Sequence, residues 1–168
     1  GHRQMARGPR FRLDSAGAAF QEGAHTAMHR TRILGGFIAG ALAVLVFHQG
    51  LIFLMGKAGI GNYSAYSWAP TEPFGVPVFL SLAFWGGVWG IAWAVLAGQL
   101  KGGGGLGLAL LFGAILPTLV FAAVVAPLKG IDGKIWLDPT RLVFALAVNG
   151  AWGFGTELFL RLGRGRIW

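Results

Sequence analysis

From Ile33 to Gly56 the chain reads ILGGFIAGALAVLVFHQGLIFLMG, with no charged side chain over the whole stretch. About 20 such residues wound as a helix cross the hydrocarbon core of a bilayer. A helix is favoured there because it bonds its own N–H and C=O groups where no water can. Three further stretches of the same kind follow, at about 76–100, 105–128 and 140–160. The expected fold is an all-α integral membrane protein, a bundle of four transmembrane helices with both termini cytoplasmic. The basic start of the first stretch resembles a signal peptide. Its apolar part is too long for that and has no small-x-small cleavage site after it, so it reads as a retained span.

Composition agrees. Of 168 residues, 55% are hydrophobic and 12% charged, whereas a soluble domain of this size carries roughly 25% charged residues. The absence of cysteine excludes disulfides, thiolate metal sites and a cysteine nucleophile. The net charge of +8 sits beside the apolar runs, the placement that the positive-inside rule produces, and nucleic acid is not an expected partner. The chain divides into a basic cytoplasmic segment at 1–32, a four-helix membrane domain at 33–161 and a basic tail at 162–168. Met5 or Met28 is a candidate start, and 14–30 reads either as a short surface helix, with Phe20, Ala24 and Ala27 toward lipid, or as disorder.

Four spans place both termini on one side. That side holds six arginines before the first span, Lys101, and Arg161, Arg164 and Arg166; the other holds Lys57, Lys129, Lys134 and Arg141. Ten against four points to cytoplasmic termini. The bias is six against four with residues 1–27 left out.

The connections differ in kind. Residues 57–76 form a loop with Tyr63, Tyr66, Trp68 and Phe74, which reads as an interfacial aromatic belt or as a lid or docking surface. Lys101 and the glycines 102–105 read as a hinge. They lack the GK[ST] ending and the preceding strand of a phosphate loop. In the third span Pro117 removes one backbone hydrogen bond and kinks the helix. Asp138-Pro139 fits a helix start.

Small residues recur four apart, Gly36 and Gly40, then Gly86 and Gly90, and the row Asn149, Gly153 and Glu157 combines a small residue with polar ones. Such ridges let helix backbones approach closely inside lipid. Their abundance suggests that some face another protein. Trp85, Trp89 and Trp93 form a neighbouring row expected to meet lipid or a partner.

Polar side chains inside a span are candidate functional groups. His48, Gln49, Ser81, Thr118 and Asn149 fall at similar depth, and the rows through His48 and Asn149 suggest that spans one and four pack together with those two residues hydrogen-bonded. His48 reads as interhelical glue, as a ligand- or proton-handling group, or as a cofactor-binding residue, the axial ligand of a haem or chlorin; no cofactor is required. Glu157 and Arg161 form an expected i, i+4 ion pair at the interface.

Motifs such as HExxH and GxSxG are absent, and only one carboxylate lies in a span. The expected function is therefore a small non-catalytic subunit of a larger bacterial membrane protein complex, respiratory or photosynthetic, in the inner membrane. Its partners are the lipid bilayer and other integral membrane proteins. The alternative is a homo-oligomeric channel or small-solute transporter lined by His48, Gln49 and Asn149.

Overall fold

The computed structural model describes residues 10–61, 63–100, 105–130 and 138–164. Helix α1 is Arg10–Ala43, followed by a π-wound turn Val44–His48 and α2, Gln49–Lys57. A short antiparallel ladder pairs β1, Pro70–Thr71, with β2, Val76–Pro77. Then come α3, Val78–Gln99; α4, Leu106–Val120; a second π-wound turn, Phe121–Val125; α5, Ala126–Leu128; and α6, Pro139–Arg164. Among the described residues, four helical stretches are long and apolar enough to cross a membrane: Arg30–Lys57, Val78–Gln99, Leu106–Leu128 and Pro139–Gly163. The protein is a multi-pass membrane protein of helical build.

Residues up to Thr31 and those from Arg32 onward form two separate compact units. The first contains the beginning of α1, where Thr26 Oγ1 donates to Glu22 O at 2.9 Å and Phe20 is 79% exposed. The expected hinge at 101–104, and the loop residues Asp132, Lys134 and Trp136, lie outside the described residues.

In the second unit, glycine decides how the spans pair. A methyl group on Gly36 would sit 2.8 Å from Gly90 O and 2.9 Å from the Ala94 Cβ. Gly40 and Gly86 are in the same relation one turn along, so α1 and α3 touch backbone to backbone. Gly113 of α4 and Gly153 of α6 repeat the arrangement, with a methyl on Gly113 placed 2.8 Å from the Gly153 Cα. These ridges are taken up inside the bundle. That corrects two sequence expectations: Gly36 and Gly40 set their backbones against the second span, the fourth reaching Gly40 through the Trp152 indole, and Gly153 packs on the third span rather than the first.

Spans one and four do meet, through aromatic groups. Phe47 packs over Gly155 and edge-on to Phe154 and Phe159, with ring centroids 6.0 and 5.7 Å away. Trp152 Nε1 donates to Gly40 O at 2.9 Å. Around these contacts lie two apolar clusters, one including Ala39, Trp93, Ala97 and Leu160, the other Ala43, Val44, Ala83 and Trp152.

The ends of the spans follow local chemistry. Asp138 Oδ1 accepts from the backbone N–H groups of Thr140 and Arg141 at 3.0 and 3.2 Å, capping α6 with Pro139 as its first residue. Pro117 lies within α4. The π-wound turn begins four residues later, where Ala126 N–H reaches back to Phe121 O.

Candidate functional site: a latched helix turn and two buried polar pairs

The first π-wound turn carries His48. Gln49 N–H bonds to Val44 O, five residues back, whereas an α-helix would give that donor to Leu45 O. Leu45 O accepts instead from the Tyr66 hydroxyl at 2.8 Å. The backbone N–H of Tyr66 also donates to Gln49 Oε1, at 2.7 Å. Gln49 Nε2 in turn lies 3.4 Å from His48 Nδ1. One loop residue thus holds both a carbonyl inside the widened turn and the side chain that follows it.

Tyr66 does this with φ +53°, the left-handed region, which costs a residue with a Cβ roughly 1–2 kcal/mol. The cost is offset because Gln49 is 2% exposed, and a buried amide oxygen without a donor is worse by a similar amount. The rest of the loop supports the placement. Phe79 N–H donates to Ser67 O and Val78 N–H to Ala69 O at 3.3 and 3.0 Å. Thr71 Oγ1 donates to Val76 O at 2.7 Å. Tyr63 stacks on Phe144 of α6, with centroids 4.2 Å apart.

A second polar pair joins spans three and four. Asn149 Nδ2 donates to Thr118 Oγ1 at 2.9 Å, and Thr118 is 4% exposed. Asn149 therefore bonds across to α4 and not to His48. Ser81, half-buried on α3, takes part in neither pair. The five residues expected to form one layer resolve into His48 with Gln49, Asn149 with Thr118, and Ser81 apart. Among the described residues His48 Nε2 makes no hydrogen bond, and no three His, Asp or Glu side chains gather as a metal-binding group.

The third polar set lies toward the other end of the bundle. Glu157 is fully buried. Its Oε1 accepts from Arg161 Nε at 2.9 Å and its Oε2 from Trp93 Nε1 of α3 at 2.9 Å. Both carboxylate oxygens are thus engaged, which a buried charge requires. Spacing in the sequence pairs Glu157 with Arg161 but puts Trp93 in an outward row. The row turns, because four residues advance a helix by about 40° beyond one full turn. Trp85 is 57% exposed and Trp93 only 2%.

Comparison with protein-family models, with curated proteins and with solved structures yields no match, so the functional reading rests on this geometry.

Proposed function

We propose that the chain is a small non-catalytic integral membrane subunit that packs against a larger membrane complex and helps to stabilise or assemble it. The observation that carries the reading is that three intramembrane polar side chains, Glu157, Asn149 and Gln49, are engaged within the chain. Glu157 is held by Trp93 and Arg161, Asn149 by Thr118, and Gln49 by Tyr66. Such bonds fix helix positions. The glycine ridges face inward, so contact with a partner falls to the outward aromatic side of α3, where Phe84 and Trp85 are 54% and 57% exposed. In this reading the protein resides in a bacterial inner membrane with both termini cytoplasmic, following its lysine and arginine distribution.

The test is purification in mild detergent from the native host, with mass, partner proteins and visible absorption recorded. Recovery at fixed stoichiometry with larger membrane proteins supports the proposal. A colourless homo-oligomer without partners overturns it and moves the channel or transporter reading, tested by flux in a His48→Leu variant, to the front.

A further inference from the structure

We propose that Tyr66 is a latch that holds the first span in its π-wound form, and that its release rewinds Val44–His48 as α-helix and turns Gln49–Lys57 by about 100°, the angle of one residue.

Three observations meet at this point. Gln49 N–H goes to Val44 O, one carbonyl further back than in an α-helix. The carbonyl passed over, Leu45 O, has its donor from Tyr66 Oη. The side chain that follows the widened turn, Gln49, accepts from the backbone of the same tyrosine. Without the tyrosine hydroxyl, Leu45 O regains a donor by taking Gln49 N–H, and that exchange is the conversion from π to α winding. Gln49 N–H keeps one acceptor in either winding, so the Tyr66 hydroxyl, by occupying Leu45 O, bears directly on the choice between them.

The direction of movement follows from the surroundings. Gly36 and Gly40 lie against the α3 backbone, which fixes the span before the turn, so the part after it rotates. A π-turn absorbs one extra residue. Its removal carries each residue from Gln49 onward into the place its successor now occupies. Ile52, 8% exposed, moves to the position of Phe53, 49% exposed. Leu54, 63% exposed, moves to that of half-buried Met55. Gln49, 2% exposed, leaves the interior for the position of Gly50. The seat of Phe47 over Gly155 and the burial of Gln49 and Ile52 also restrain the π form. A ligand or protein that lifts the loop 58–77 therefore changes which face the first span offers to its neighbours.

Because the chain has no cysteine, single nitroxide labels can be attached at Ile52, Leu54 and, as a check on the fold, Leu96 of the full-length protein in lipid bilayers. Their accessibility to oxygen is then compared between the parent and Tyr66→Phe. The expected result is a several-fold rise at Ile52 and a fall at Leu54, with Leu96 unchanged. Unchanged values at all three positions overturn the latch. If Leu96 also changes, the variant has lost its fold, and a second background decides. Deletion of lipid-facing Val46 removes the extra residue while the flanks keep their faces, so there Tyr66→Phe should leave all three labels as in the parent. An equal disruption with and without Val46 overturns the proposal.

Discussion

At the scale of single residues, the buried carboxylate is the most exacting group in the bundle. Glu157 depends on a donor from another helix, Trp93, as well as on Arg161 of its own. Trp93→Phe keeps most of the ring volume but leaves Glu157 Oε2 without its donor. We expect a loss of about 1–3 kcal/mol, read as a lower unfolding midpoint in detergent. Glu157→Gln keeps an oxygen acceptor and should be milder in the Trp93→Phe background than in the parent, a double-mutant cycle that isolates the pair. Asn149→Leu removes one interhelical bond to Thr118. Its expected cost is only about 0.6 kcal/mol, the average for such bonds in membranes, and a far larger drop would show that Asn149 does more than join α4 to α6.

Parts of these residue sites were legible before any fold. The Glu157–Arg161 spacing announces an intrahelical pair, since residues four apart share a helix face. Trp93 could not be assigned to it, because a row four apart drifts around the helix and its inward end depends on which neighbour is present. Tyr66 was hidden more deeply. It sits in a loop, so no periodicity relates it to Gln49, and it answers a carbonyl that Gln49 N–H passes over only because the helix widens at Val44–His48. Nothing in that apolar run marks a π-turn.

At the scale of elements, glycine position outranks glycine number. Gly40, Gly90 and Gly153 each face another backbone, while a methyl on Gly50 or Gly107 would meet nothing within 4 Å. Gly90→Ala should therefore destabilise by about 1–3 kcal/mol, the range for overpacking a tight contact. Gly107→Ala should be neutral or slightly stabilising, since alanine is the better helix former. Parallel thermal unfolding of the two variants in one detergent checks this, and equal effects would contradict the close approach of α1 and α3. The Asp138 cap belongs to the same scale. Asp138→Ala leaves the Thr140 and Arg141 N–H groups without their acceptor and should cost about 1 kcal/mol, measured as faster amide exchange in the first turn of α6.

At the scale of the whole molecule, composition and span length establish a multi-pass membrane protein, with four apolar helices among the described residues. Orientation is a matter of charge, and reporter fusions at each end provide the measurement. Both ends should report from the cytoplasm, and neutralising Arg30 and Arg32 together should weaken that bias, because those charges survive even the narrower count. What the sequence by itself determined was where the chain can cross lipid, since hydrophobic length and the need to bond every backbone group leave little choice. It also pointed to Gly36, Gly40, Gly86, Gly90 and Gly153 as small residues for close approach, though not to Gly113. Only the tertiary structure decided which helix each ridge meets, how the polar layer divides and where Tyr66 is seated. Every span is mostly apolar, so partner choice rests on the few interhelical polar pairs and on a few ångströms of shape at Gly36, Gly86, Gly113 and Gly153, and both are properties of two helices together.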